Sequence, residues 1–248
     1  MNSLNPPSRA FVGRVLVVSN DPSAIKQLGE SMQRFALLPE QCPDVPSALE
    51  RLKRAKFEAV VVDFRLGSRA RTVFEGARQS ASNEHTVVFT VSDSEVESAE
   101  AFKVGSTFVL RRPLSEASID LSLKAAYGLI VRERRRYFRC PVEVPVTILG
   151  TAMHTVDGRT INISEGGMSV SAAAPFGPGD QVQLQFALPG DEFQLVLEST
   201  VCWAKERALG LQFLSPHQTS KLQQWLSRRL EEAMPKSVRD KFSTLPQD

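Results

Sequence analysis

Cysteine, histidine and aromatic side chains are scarce in this 248-residue chain, with three cysteines, three histidines and 7% Phe, Trp and Tyr. Cys42, Cys140 and Cys202 are odd in number and fall in no paired spacing. That excludes a disulfide framework and points to a reducing, cytoplasmic setting. His85, His154 and His217 stand too far apart to form a ligand pair at helical or strand spacing, so no metal site is expected. No apolar run approaches the ~18 residues of a membrane helix. Met1–Ala10 has no basic start followed by an apolar block, so no secretory signal is expected. The net charge of +2 lacks the basic excess of a general nucleic-acid binder. Missing too are a nucleophile–base pair and a phosphate-binding glycine loop. Catalytic residues and cofactors are therefore not expected, and the chain does not read as an enzyme.

What is present is a composition fit for soluble cores, 42% hydrophobic and 23% charged, in a chain long enough for two domains. Two periodicities divide it. Over residues 14–128, short apolar runs at Arg14–Val18, Ala36–Cys42, Glu58–Asp63, Thr86–Thr90 and Thr107–Leu110 alternate with amphipathic stretches. Helices are predicted at Val45–Lys56, Arg71–Gln79 and Glu95–Val104, and another after a cap at Asp21 or Ser23. This alternation predicts a doubly wound, five-stranded parallel sheet. A long helix over Ser115–Arg136 follows, its stripe formed by Ile119, Leu123, Ala126 and Ile130. No Pro/Gly/Ser-rich linker follows it, which predicts a semi-rigid junction.

From Cys140 the period becomes two: Val142, Val144, Val146 and Ile148, then Val182, Leu184, Phe186 and Leu188, then Leu209, Leu211 and Phe213. Turn signals at Asp157-Gly158, Gly166-Gly167, Gly177–Asp180 and Pro189-Gly190 separate these runs. They predict a small antiparallel β-barrel closed by a C-terminal helix over His217–Ala233. The predicted domains are 12–128 and 132–235.

Two clusters carry chemistry. Arg132–Arg139 holds five arginines in eight residues, and Asn162–Gly167 reads Asn-Ile-Ser-Glu-Gly-Gly. Alone, the first is a solvated face at a helix end and the second a turn. Together they suit a flat anionic ligand, because a guanidinium fork matches phosphate oxygens or a guanine edge and can stack on a base. Arg135 and Arg139 fit an Arg-x-x-x-Arg pattern, and Asn162, Ser164 and Gly167 fit Asp/Asn-x-Ser-x-x-Gly. With Val201–Trp203 and Leu209–Phe213 following, the segment Arg132–Ala233 resembles a PilZ domain, the bacterial module that binds cyclic di-GMP. The resemblance implies a cyclic di-GMP site made by Arg135, Arg139, Asn162, Ser164 and Gly167. Arg134 and Arg136 are further candidates, because three adjacent arginines leave the register open by one position. Trp203 and Phe213 read as barrel core, and Gly167 as a place where the ligand meets backbone.

The first half resembles a response-regulator receiver domain. Asp63 stands at the position of its phospho-acceptor, Thr90 at its switch position, and Arg112 where its lysine would be. Ser19-Asn20 replaces its metal-binding acidic pair. The resemblance implies a pseudo-receiver that docks a protein partner or a second copy, with Asp63 paired to Arg112 or Arg65. The combined expectation is a cytoplasmic cyclic di-GMP receptor in which ligand at the arginine arm reorients the domains. The alternatives are a protein–protein adaptor that binds no nucleotide, and a response regulator phosphorylated on Asp63. No contact with membrane or nucleic acid is expected.

Overall fold

The computed structural model describes residues 11–150, 154–173, 175–190, 194–214 and 220–233. The chain divides into two compact units, one ending at Arg134 and the other running Arg135–Ala233. Met1–Ala10, the helix start expected at His217, and residues 234–235 of the expected second domain lie outside the described residues.

The first unit is a five-stranded parallel sheet in the order β2-β1-β3-β4-β5. Its strands are β1 (Gly13–Val18), β2 (Leu37–Cys42), β3 (Ala59–Asp63), β4 (Val87–Ser92) and β5 (Phe108–Arg111). The helices are α1 (Pro22–Arg34), α2 (Val45–Arg54), α3 (Ala70–Gln79), α4 (Glu95–Lys103) and α5 (Glu116–Tyr137). Strands β3 and β4 are buried along their whole length, as a sheet covered on both faces requires. Leu16, Val18, Val60 and Val62 pack with α2 and α3. Val15, Val17 and Val61, also buried, point to the opposite face. Asp21 is the cap of α1: its carboxylate accepts from Ser23 N at 2.9 Å and Ala24 N at 3.2 Å, with Pro22 in the first turn. The α5 stripe of Ile119, Leu123, Ala126 and Ile130 is buried as the periodicity predicts.

The second unit is antiparallel. Its strands are β6 (Cys140–Pro141), β7 (Pro145–Gly150), β8 (Thr155–Ser164), β9 (Gly167–Ser171), β10 (Gln181–Ala187), β11 (Gln194–Lys205) and β12 (Ala208–Phe213). Helix α6 covers Ser220–Ala233. Strands β8, β7, β10, β11, β12 and β9 pair in sequence, and the β8–β9 pairing closes them into a six-stranded barrel. The short β6 adds to β8 through Cys140↔Ile163 and Pro141↔Asn162. Leu222, Trp225 and Leu226 of α6 belong to the barrel core.

Two local expectations are corrected. Asp157-Gly158 is no turn but the interior of β8. A Cβ on Gly158 would lie 2.8 Å from both Ser171 O and Val170 Cγ1, so the glycine serves close strand packing. The alternation at Val142 and Val144 precedes β7, because the Thr160 hydroxyl takes the place of a strand partner. It receives Val144 N at 2.9 Å and donates to Val142 O at 2.6 Å. The long helix expected over Ser115–Arg136 is present as α5, which runs through the arginine cluster to Tyr137, one residue further.

Candidate functional site

The end of α5 and the β8–β9 hairpin build one face of the second unit. Beyond the helix, Phe138 packs against the barrel core, while its neighbours Tyr137 and Arg139 stay exposed. The hairpin turns through Glu165-Gly166 between the paired residues Ser164 and Gly167. Ser164 is buried and its Oγ donates to Gly167 O at 3.0 Å, locking the turn from inside.

A cavity of about 330 Å³ lies among these elements and is lined by Arg136, Tyr137, Arg139, Ser164, Gly166, Gly167, Ser169, Cys202, Trp203 and Gln212, among others. Of the residues singled out in the sequence, this cavity brings together Arg136, Arg139, Ser164 and Gly167. Arg134, Arg135 and Asn162 do not line it. Arg134 Nη1 lies 3.5 Å from Glu58 Oε1 in the first unit. Arg135 Nε sits 2.6 Å from Glu165 Oε1, and its Nη1 donates to Ser227 Oγ of α6 at 3.1 Å. Asn162 shares a strand face with Ser164 at period two, and its Oδ1 is buried without a hydrogen-bond partner. A larger hollow of about 900 Å³ on the barrel, bordered by Glu143, Arg159 and Arg207, contains none of the motif residues. Its Arg159 is already paired with Glu143 at 2.5 Å.

Two expectations change. Gly167 is needed by the barrel itself: a Cβ there would lie 2.1 Å from Leu211 O on β12. Trp203 is not core. The register of β11 against β12 slips between Val201 and Trp203, so Val201 is 1% exposed and Trp203 is 39% exposed. A bulge re-aims the side chain that follows it, and here it delivers the indole to the cavity. Trp203 lies over its partner Gly210, where a Cβ would come within 2.0 Å of Nε1. The glycine opposite a tryptophan was the available sequence signal, and strict alternation masked it. Phe213 is buried in the core as expected.

In the first unit, Asp63 is fully buried. Its Oδ2 accepts from Ser19 Oγ at 2.6 Å and Arg112 Nη2 at 2.7 Å, and its Oδ1 from Arg65 N and Arg112 Nη1, both at 3.1 Å. Arg112 Nη2 also reaches Asp21 Oδ2 at 3.2 Å, and Arg65 bridges Asp21 and Asp93. The Ala24 backbone N–H, joined by the Arg112 guanidinium and the Ser23 N–H, holds Asp21 below the usual carboxylate range despite the opposing effect of burial. The Arg65 hydrogen bond does the same for Asp93. Thr90 is buried and donates to Ser106 Oγ at 2.9 Å. This arrangement does not fit the divalent cation that the receiver resemblance implies. A guanidinium occupies the carboxylate oxygens, and Ser19 and Asn20 bring no charge. Among the described residues no group of three His, Cys, Asp or Glu is placed to hold a metal ion.

Residues 133–228 match the family model of the PilZ domain. The barrel unit is a PilZ domain. That makes it a binding domain. The first unit resembles response-regulator receiver domains in its 2-1-3-4-5 strand order. Solved structures similar to that half include the receiver domain of a sensor histidine kinase from Pseudomonas aeruginosa, at 14% identity and a TM-score of 0.43, spanning 47% of this chain and 98% of that one. A chemotaxis response regulator of Vibrio cholerae is similar at 19% identity and a TM-score of 0.41, over 45% of this chain and 96% of that one. A structure titled adenylate cyclase from Rhodopirellula baltica is 23% identical at a TM-score of 0.40, over 49% and 88% respectively. No curated protein matches the chain in sequence. Among the described residues, no helix is long and apolar enough to cross a membrane.

Proposed function

We propose that this protein is a bacterial, cytoplasmic receptor for cyclic di-GMP that signals by binding, without catalysis. The observation that carries this reading is the cavity in which Arg136, Arg139, Ser164 and Gly167 meet the exposed aromatics Tyr137 and Trp203. Cyclic di-GMP offers two phosphodiester charges and two guanines. Arg136 and Arg139 supply planar donor forks for phosphate or a guanine edge. Tyr137 and Trp203 supply faces on which a base can stack. Ser169 and Gln212 supply neutral polar contacts; Asn162, outside the cavity lining, keeps a buried Oδ1 without a partner, an acceptor for a guanine N–H only once the site opens to it. Arg135 joins the ligand set once it leaves Glu165. Arg134, held at Glu58, does not belong to it.

The unit boundary falls between Arg134 and Arg135. Ligand drawn onto the arm therefore acts on the stretch of α5 that the two units share, and changes how the receiver-like unit is presented to a protein partner or a second copy. That unit has exposed apolar side chains for such docking, among them Val96, Phe102 and Leu121.

Isothermal titration with cyclic di-GMP tests the reading. Charge-assisted hydrogen bonds contribute about 1.5–3 kcal/mol each, so Arg139→Ala should weaken binding about 10- to 100-fold. Absence of heat with the unaltered protein, or unchanged affinity in Arg139→Ala, favours an adaptor that binds no nucleotide. Beryllofluoride with magnesium addresses phosphorylation of Asp63: with both carboxylate oxygens engaged, no adduct and no change in oligomeric state are expected.

A further inference from the structure

Glu165 lies inside the Asn162–Gly167 motif, yet it is a carboxylate next to a site meant for an anion. It is 17% exposed in its side chain, and its Oε1 stands 2.6 Å from Arg135 Nε. Neither of those two atoms has a hydrogen-bond partner, so charge rather than direction holds the contact. Arg135 is turned further from the cavity by its 3.1 Å hydrogen bond to Ser227, whose own Oγ donates to Gln223 O at 2.7 Å. One acidic side chain and one hydroxyl thus occupy the guanidinium that the sequence motif offers to the ligand.

We infer that Glu165 is an internal competitor for Arg135, a pseudo-ligand that sets the affinity of the site by holding this arginine back until the nucleotide displaces it. The inference rests on the cyclic di-GMP reading above. An anionic phosphodiester and the Glu165 carboxylate seek the same guanidinium, and each bound state excludes the other. The cost of releasing Arg135 is subtracted from the binding free energy, as for any site whose competent form must first be populated. The pair is partly solvated, so that cost is modest and removable.

The test is a double-mutant cycle on the full chain, read by titration with cyclic di-GMP. Glu165→Gln and Glu165→Ala should bind about two- to fivefold more tightly than the unaltered protein. Ser227→Ala should give a smaller gain of the same sign. Arg135→Ala should weaken binding, and adding Glu165→Ala to it should bring no recovery, because the competitor then has nothing to hold. Thermal melts of the ligand-free proteins show whether each variant is folded. Unchanged or weaker binding in folded Glu165→Gln overturns the inference while leaving the receptor reading intact. So does a gain that persists when Arg135 is absent. Absence of binding by the unaltered protein as well as by every variant overturns the receptor reading itself.

Discussion

Replacing Arg112 by alanine probes the energetics of the receiver-like unit most directly. The Arg112 side chain is 11% exposed and makes three hydrogen bonds, two to the fully buried Asp63 at 2.7 and 3.1 Å and one to Asp21 at 3.2 Å. Its removal leaves the Asp63 carboxylate buried with only the Ser19 hydroxyl and the Arg65 N–H. Stripping one partner from a buried ion pair costs about 3–5 kcal/mol. With a urea m-value of about 2 kcal/mol/M, the midpoint of this unit should fall by roughly 2 M. The two tryptophans of the chain, Trp203 and Trp225, both lie in the barrel unit. Far-UV circular dichroism reports both units, while tryptophan fluorescence reports the barrel. The first transition should move and the second should stay. Asp63→Asn on the Arg112→Ala background should recover part of the loss, because it removes the orphaned charge. A midpoint shift below about 0.3 M, or no recovery, would show that Asp63 and Arg112 do not act as a buried pair.

Three other outcomes follow from the geometry. Gly167→Ala puts a Cβ 2.1 Å from a backbone oxygen of β12 and should destabilise the barrel by about 1–3 kcal/mol, seen as an earlier fluorescence transition. Gly210→Ala should push the Trp203 indole off its strand, shift the emission and weaken cyclic di-GMP binding about tenfold, since base stacking on an aromatic is worth about 1–3 kcal/mol. Acid should weaken the first unit. Asp21 and Asp93 are held below their usual range, so the folded form binds fewer protons than the unfolded form as pH falls below about 4. Their contribution is complete above that pH and is lost as pH drops through the depressed values; urea midpoints at pH 7 and pH 3 should differ less in Asp21→Asn.

Periodicity made the fold legible. Buried parallel strands announce themselves as Val-Val-Val runs, and Asp21-Pro22 marks a helix start through the local chemistry of a cap. What escaped the pattern depends on partners distant in sequence. The Thr160 hydroxyl standing in for a strand at Val142 and Val144, and the β11 bulge that turns Trp203 outward, are settled only when another strand arrives alongside. The candidate site divides in the same way. Arg139, Ser164 and Gly167 were readable from spacing. That Arg136 lines the cavity while Arg135 faces Glu165 was not, because three adjacent arginines on a helix are about 100° apart and only packing assigns their directions.

The β8–β9 pairing that closes the barrel also carries Ser164 and Gly167, so the seam and the recognition motif share residues. Genetics on such a protein will be asymmetric. Damage at Gly167 will present as loss of protein, and will mimic loss of signalling in any assay that does not measure abundance. Alleles that separate recognition from folding have to come from the arm and from the outward aromatic, at Arg139 and Trp203, where nothing in the seam depends on the side chain.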